Sequence, residues 1–491
     1  MKMMIPLKQL FATIYPAELP EEEVYVSSIT MDSRSVEKDG LFFCVPGYTV
    51  DGHNFAGDAA AAGAAAVVAE KPVQADCPVV YVPNVKRAMA VCASIFYGHP
   101  STKMSMIGVT GTNGKTSVTH YIEQLMHSAG KRAGVIGTLY TRYNGRQVEA
   151  VNTTPESIDL QRILFDMAED TTEVTAMEVS SHALSLGRIH GTVFQTAVFT
   201  NLTQDHLDFH PTMDHYAHAK SLLFSQLGAG FDRPLPSVVI NADDEYAGWM
   251  MEASPVPVLR YGIRENAEVR AETIHLSPSG STFTLAVPEG RFPVEISLPG
   301  TFSIYNVLAA ACAANRNGLS WQEIAGMLNG LTGVRGRFEV VKSDAPVHVI
   351  IDYAHTPDSL ENVLQTINET TSADKIKTVI GCGGDRDKTK RPKMARVSES
   401  LSGWTYLTSD NPRSEDPDAI LEDMKAGMKE SSYAVIPDRR EAIRRAVLES
   451  SAGDVLLIAG KGHETYQEVQ GKRSSFDDRE EARSALKEWR T

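Results

Sequence analysis

The run from Met104 to Thr110 is apolar and leads into Gly108-Val109-Thr110-Gly111-Thr112-Asn113-Gly114-Lys115-Thr116, after which the pattern turns helical. A strand buried on both faces that feeds a glycine loop and then a helix belongs to a parallel sheet covered by helices. The loop also implies a ligand. Backbone amides at a helix start can cradle phosphate oxygens, Lys115 can offset their charge, and the Thr116 hydroxyl can coordinate magnesium. The spacing departs from the strict phosphate-loop pattern, because Val109 stands where the first glycine would be. A purely structural glycine turn is the competing reading, but it leaves the coincidence of strand, glycines, Lys-Thr pair and helix unexplained.

The same alternation continues along the chain. Val174 to Val179, Thr196 to Thr200 and Ser237 to Ile240 read as strands, and Tyr305 to Asn315 as a helix. Upstream, Tyr25 to Ile29 and Leu41 to Val45 read as short strands. An alanine-rich helix follows, then a strand starting at Ala66 to Val68. Downstream, Val347 to Ile351, Lys377 to Ile380, Trp404 to Thr408 and Val455 to Ala459 read as strands, with helices over Asp418 to Met428 and Arg439 to Glu449. At 491 residues the chain exceeds one ordinary core, and the pattern predicts three α/β domains with ligands at the C-terminal ends of strands and where domains meet.

Composition narrows the function. Lys plus Arg number 47 against 62 Asp plus Glu, a formal charge of −15, which disfavours a nucleic-acid binder. The five cysteines are scattered and odd in number, without metal-cluster or disulfide spacing, so reduced cytoplasmic thiols are expected. No signal-peptide core develops after Lys2 and Lys8, and the Ala59 to Val68 run is far too short for a membrane span. The expectation is a cytoplasmic protein with no membrane insertion, working as a monomer.

Several side chains extend the phosphate-loop reading. Glu178 ends one predicted strand and His206 follows another, so both could converge with Thr116 on magnesium; taken singly, each is equally a cap or a surface group. The crowding of Asp205, His206, Asp208 and His210 suggests zinc, yet adjacency in sequence does not give tetrahedral geometry, and the phosphate loop favours magnesium. Lys220 by itself reads as an exposed helical lysine. The loop from Pro46 to His53 reads as either a ligand contact or a surface turn.

Motifs then recur in a fixed order: Asn152-Thr153-Thr154-Pro155, Glu178-Val179-Ser180-Ser181-His182, the segment Asn201 to Asp208, and Asp352-Tyr353-Ala354-His355-Thr356-Pro357-Asp358. Gly383-Gly384-Asp385-Arg386-Asp387, Asp410-Asn411-Pro412-Arg413 and Gly460-Lys461-Gly462-His463-Glu464 follow. Over essentially the full chain this set resembles the Mur ligase superfamily. The resemblance implies an N-terminal UDP-substrate-binding domain over 1–98, a central P-loop ATPase domain over 99–332, and a C-terminal Rossmann-like amino-acid-binding domain over 333–491.

It further implies an enzyme that uses ATP and magnesium to join meso-2,6-diaminopimelate to UDP-N-acetylmuramoyl-L-alanyl-D-glutamate through an acyl phosphate. By motif match, Gly111, Thr112, Asn113, Gly114, Lys115 and Thr116, with Asn306, Arg337 and Asp352, hold ATP. Thr116, Glu178 and His206 surround magnesium. Lys220 matches a lysine that becomes carbamylated to N6-carboxylysine and then helps hold a second magnesium; Lys115, Lys220 and His206 form the catalytic set. Ser33, the Gly47 to His53 loop, Thr153, Thr154, Ser181 and Arg188 are implied for the UDP-linked substrate. Arg386, Asp410, Asn411, Pro412, Arg413, Gly460 and Glu464 are implied for diaminopimelate, with Arg413 suited to its distal carboxylate and Glu464 to its distal ammonium. A lysine-adding ligase or a folylpolyglutamate synthase is the neighbouring reading, and an ATP-controlled scaffold the reading from another class.

Overall fold

The computed structural model describes residues 4–14, 18–47, 50–206, 209–228, 235–264, 267–429 and 431–489. Tyr48 and Thr49 of the N-terminal loop, and Leu207 and Asp208 of the Asn201 to Asp208 motif, lie outside the described residues. The chain forms two compact units, Met1–Tyr261 with Ala309–Leu319, and Gly262–Leu308 with Ser320–Thr491.

The first unit begins with a small parallel sheet in the order Ser28–Thr30, Gly40–Phe43, Ala64–Ala69, Val79–Tyr81. Its core gathers Leu41, Phe43, Val68 and Val80 against Met89 and Phe96 of the helix Val85–Phe96. The single strand expected over Tyr25 to Ile29 is two strands. Tyr25–Val26 pairs with Ile5–Pro6, whereas Ser28–Thr30 pairs with Gly40–Phe43. Ser27 breaks the run, because its amide and hydroxyl donate to the carbonyls of Asp39 and Lys38.

A larger sheet follows, in the order Arg146–Glu149, Tyr140–Tyr143, Ala133–Ile136, Val174–Glu178, Ser105–Thr110, Thr196–Phe199, Ser237–Asn241, Val258–Gly262. From Ala133–Ile136 onward the neighbours run parallel. Met106, Ile107 and Val109 are fully buried, as a strand covered on both faces requires. Register pairs Val109 with Glu178 and Thr110 with Phe199, so three strands end level and deliver the glycine loop, Glu178 and Thr200 to one sheet edge. Gly111 has φ +152°, and a Cβ there would lie 1.8 Å from the Thr200 hydroxyl oxygen, so this close approach admits glycine alone.

In the second unit, the expected parallel alternation does not hold between residues 269 and 296. Val269–Ser277, Gly280–Val287 and Gly290–Ile296 form an antiparallel ladder joined by two tight turns. Their alternately buried and exposed residues mark strands with one wet face, unlike the continuous apolar runs of the parallel sheets. The rest is a six-stranded sheet in the order Glu339–Val341, His348–Asp352, Val455–Ala459, Ile376–Ile380, Trp404–Leu407, Tyr433–Val435, parallel except at the first strand.

Helices cover both faces of that sheet. Leu360, Leu364, Met394 and Ile420 pack with Ile350, Ile380 and Leu407 on one side. Ile443, Ala446, Ala482 and Leu486 pack with Val349, Val379 and Ile458 on the other. Among the described residues, no helix is long and apolar enough to cross a membrane.

Candidate active site

The helix Lys115–Ser128 begins at Gly114, whose φ of +87° lets the loop turn sharply into the first helical turn. The amides at such a helix start point outward, where an anion is favoured. Asn201 props the loop from behind: its side-chain oxygen accepts from the Asn113 amide at 2.9 Å and its carbonyl from the Thr112 amide at 2.9 Å. Lys115 folds over the loop, its Nζ donating to the carbonyls of Gly111 and Thr112 at 2.9 and 2.8 Å.

Lys220 departs most from its bland reading. It sits on the helix Met213–Ser225 but is 1% exposed, and its Nζ donates to the Gly111 carbonyl at 2.8 Å. Two lysine amines therefore converge on one carbonyl oxygen. Burial, and then the Lys115 charge, push the Lys220 pKa well below its ordinary 10.5, against an opposing pull from Asp205. The Tyr216 ring, 4.4 Å from Nζ, lines the same recess, with its hydroxyl 3.3 Å from the Thr112 hydroxyl.

Glu178 forms the other wall and is 1% exposed. The Thr116 hydroxyl donates to its Oε2 at 3.0 Å, the Thr138 hydroxyl to the same oxygen at 3.1 Å, and the Thr138 amide to Oε1 at 2.8 Å. Hydroxyl and carboxylate oxygens gathered in this way suit a hard cation such as magnesium. Among the described residues no cluster of three or more His, Cys, Asp or Glu side chains assembles. Magnesium bound partly by phosphate oxygens and water needs no such cluster. His206 has φ +54°, lies 3.5 Å from an Asp205 oxygen through Nε2, and stacks edge-on against His182 and Tyr216. It thus joins the recess through the tyrosine that also faces Lys220.

Thr153, Thr154, Ser181 and Arg188 gather beside Glu178. The Thr153 hydroxyl lies 3.1 Å from that of Thr138. The Thr154 hydroxyl is spent internally, donating to the Glu178 carbonyl at 2.8 Å and accepting from the Ser180 amide at 3.0 Å. Arg188 donates to the Thr154 carbonyl at 3.1 Å and pairs with Glu156 at 2.5 Å. Among the described residues the buried Ser181 hydroxyl has no hydrogen-bond partner, which suits a group reserved for a ligand. In the N-terminal sheet, half-buried Ser33 opens a short turn capped by Asp32. At the end of the nearby loop the Glu70 amide donates to Nε2 of buried His53, so Nδ1 carries the proton that His53 donates to Asp51 at 2.6 Å.

In the second unit, Asn306 is buried on the helix Thr301–Arg316. Asp352 ends its strand and accepts from the amides of Phe338 and Ala354, each at 2.7 Å. Burial raises its pKa, while Arg337 and those two amides oppose the rise. The Arg337 guanidinium lies 4.9 Å above the Tyr353 ring.

The Asp410 to Arg413 segment follows the strand Trp404–Leu407. Asn411 is 2% exposed; its Nδ2 donates to Glu464 at 2.7 Å and its Oδ1 accepts from Lys461 at 3.0 Å. Arg413 holds φ +52°, a costly conformation for an arginine, and its Nη1 donates to the Gly384 carbonyl at 2.6 Å. Gly384 is needed there, since a Cβ would lie 1.9 Å from the Pro412 carbonyl oxygen. Gly460, with φ +114°, faces Asp410, whose Oδ2 would be 2.7 Å from an added Cβ. Arg386 is exposed and donates to the Asp385 carbonyl at 3.1 Å.

Sequence reasoning missed four residues that build these sites. Thr138 was legible only once Ala133–Ile136 was known to flank the Glu178 strand. Lys461 stands three residues before Glu464, a spacing that could have signalled the ion pair at 3.0 Å. Arg439 and Asp478 form a fully buried bidentate pair, and the same guanidinium donates to the carbonyls of Ser409 and Ala459, the residues just before Asp410 and Gly460.

Three family models match in succession: "Mur ligase family, catalytic domain" over 25–97, "Mur ligase middle domain" over 109–314, and "Mur ligase, glutamate ligase domain" over 336–462. A UDP-N-acetylmuramoyl-L-alanyl-D-glutamate--2,6-diaminopimelate ligase of Bacillus licheniformis is 50% identical over 474 residues, covering 96% of this chain and 97% of its own. One of the same name from Halalkalibacterium halodurans is 49% identical over 486 residues, covering 99% of each chain. A solved structure of a protein so named superposes with a TM-score of 0.74 at 35% identity, covering 100% of both chains. At these identities and coverages the chain belongs to the Mur ligase family.

Proposed function

We propose that this protein catalyses the ATP-dependent addition of meso-2,6-diaminopimelate to UDP-N-acetylmuramoyl-L-alanyl-D-glutamate, forming the UDP-linked tripeptide of peptidoglycan synthesis. The observation that carries the reading is the convergence of Lys115 and buried Lys220 on the Gly111 carbonyl, in a loop whose Thr116 is hydrogen-bonded to Glu178. That arrangement suits phosphoryl chemistry, because charge stabilisation is most of what such a transfer asks of a protein.

In the first step a γ-carboxylate oxygen of the D-glutamyl residue attacks the terminal phosphorus of ATP; the P–O bond to ADP breaks and an acyl phosphate forms. In the second, an amine nitrogen of diaminopimelate attacks the acyl carbon, phosphate leaves with its bonding pair, and the amine proton passes to solvent. Lys115 offsets phosphate charge in the loop. Thr116, Glu178 and His206 would hold magnesium, which when bound neutralises phosphate oxygens. Asn306, Arg337 and Asp352 serve the nucleotide, and Ser33, Thr153, Ser181 and Arg188 the UDP-linked substrate.

The depressed pKa of Lys220 gives carbamylation a physical basis, because only the neutral amine attacks carbon dioxide. The N–C bond forms, one C=O electron pair moves onto oxygen, and the proton goes to solvent. A buried amine beside Lys115 thereby becomes an anion attracted to it and suited to a second magnesium.

Selection of the amine rests on Arg413, with Arg386, Asp410, Gly460 and Glu464 around it. Diaminopimelate differs from lysine by one distal carboxylate, and a guanidinium matches a carboxylate in a bidentate pair. Arg413→Ala is expected to raise the KM for diaminopimelate by about 10- to 100-fold, the loss for a charge-assisted pair, while the KM for ATP stays near wild type. Steady-state assays varying each substrate check this, and an unchanged diaminopimelate KM removes Arg413 from the clamp.

A further inference from the structure

Asn411, although it stands in the motif implied for diaminopimelate, has little of its side chain left for a ligand. Its Oδ1 accepts from both Lys461 Nζ at 3.0 Å and the Glu468 amide at 2.9 Å, and its Nδ2 donates to Glu464 at 2.7 Å. Lys461 itself is fully buried and splits its ammonium between Asn411 and Glu464 Oε2, each at 3.0 Å. The Asn411 and Lys461 contacts to Glu464 both fall on one oxygen, Oε2.

The hairpin formed by Tyr466–Val469 and Lys472–Ser475 holds the same segment from outside. Gln467 Nε2 donates to the Asp410 carbonyl at 2.9 Å, the Arg413 amide donates to the Glu468 carbonyl at 3.0 Å, and the Gln470 amide donates to the Arg413 carbonyl at 2.6 Å. Gln470 Nε2 reaches the Ser414 carbonyl at 3.1 Å. The outer strand is wholly exposed, so the hairpin contributes little to the core. Its bonds go to the loop that carries Arg413 in its left-handed conformation.

We propose that Lys461 and this hairpin, through Gln467 and Glu468, are the positioning elements that set preference for an amine bearing a distal carboxylate. This rests on the functional reading above. Diaminopimelate and lysine both present a distal ammonium, so Glu464 serves either; the carboxylate distinguishes them, and reading it depends on where the loop holds Arg413. Loosening the loop therefore costs diaminopimelate more than lysine.

The test measures kcat and KM for diaminopimelate, lysine and ATP with the full-length protein, Lys461→Met and Gln467→Met. The expected result is a rise of about tenfold in the diaminopimelate KM for Lys461→Met, which removes the hydrogen bonds to both Asn411 and Glu464. A smaller rise is expected for Gln467→Met, with a parallel fall in the diaminopimelate-to-lysine ratio of kcat/KM and little change in the ATP KM. A merely structural role would lower kcat for every substrate together. If Lys461→Met does not fold, Gln467→Met decides. Wild type that fails to prefer diaminopimelate overturns the functional reading itself. Wild type that prefers it, with folded variants keeping its ratio and its diaminopimelate KM, overturns this inference alone.

Discussion

Lys220→Ala is expected to lower the rate of amide formation by about a hundred- to a thousand-fold, the usual loss when one preorganised electrostatic group leaves a reacting centre. The truncated side chain can neither become an anion nor fill the recess between Gly111 and Tyr216. One companion observation separates this from general damage. In native mass spectra under bicarbonate, wild type should gain the mass of one carbon dioxide and Lys220→Ala should not.

Stability should move the other way with Lys220→Met. In carbon-dioxide-free buffer the folded protein holds Lys220 at a depressed pKa, whereas the unfolded chain keeps the proton up to about 10.4. The unfolded state binds more protons between those two values, so stability rises with pH across that window and the penalty vanishes above it. Methionine fills the recess without a proton to lose, so the variant should be more stable than wild type at neutral pH and inactive. Denaturant titrations at several pH values check the slope. Full turnover by Lys220→Ala would remove the lysine from the mechanism.

Asp478→Ala is expected to destabilise the second unit by about 3–5 kcal/mol, the cost of leaving a buried charge without its partner. Arg439 and Asp478 are both fully buried, and the guanidinium spans the Ser409 and Ala459 carbonyls as well as the carboxylate. Replacing both residues, as Arg439→Met with Asp478→Leu, should cost less than Asp478→Ala alone, because no uncompensated charge remains. Urea unfolding followed by far-ultraviolet circular dichroism gives both numbers. A double variant less stable than the single one would show that the pair is worth more than its desolvation.

The strands buried on both faces were the legible part of the fold. Val455–Ala459 matches its expected span, and Ser105–Thr110, Val174–Glu178 and Thr196–Phe199 each differ by one residue. A continuous apolar run bounded by glycine or polar residues leaves little choice. The antiparallel ladder between residues 269 and 296 escaped because its wet face carries Arg270, Glu272, Glu295 and several threonines and serines, which dilute the apolar signal. The phosphate loop was legible for the opposite reason: a contiguous motif carries its own geometry.

Side chains whose meaning depends on distant neighbours were not legible. Lys220 looks like any helical surface lysine until Met213–Ser225 is laid beside the Ser105–Thr110 strand and Gly111. Asn411 and Lys461 meet across fifty positions of sequence, and Arg439 and Asp478 across thirty-nine. Family resemblance supplied Lys220 and Asn411 in advance; it gave Lys461 no role, although that residue stands in one of its motifs, and it did not include the Arg439–Asp478 pair.

The full-length protein, incubated in bicarbonate buffer with UDP-N-acetylmuramoyl-L-alanyl-D-glutamate, ATP and magnesium, can be offered meso-2,6-diaminopimelate or L-lysine while ADP and amide product are quantified together. The predicted result is equal amounts of ADP and UDP-linked tripeptide, with diaminopimelate strongly preferred. Preference for lysine, or no amide from protein shown to carry the Lys220 carbamate, would contradict it.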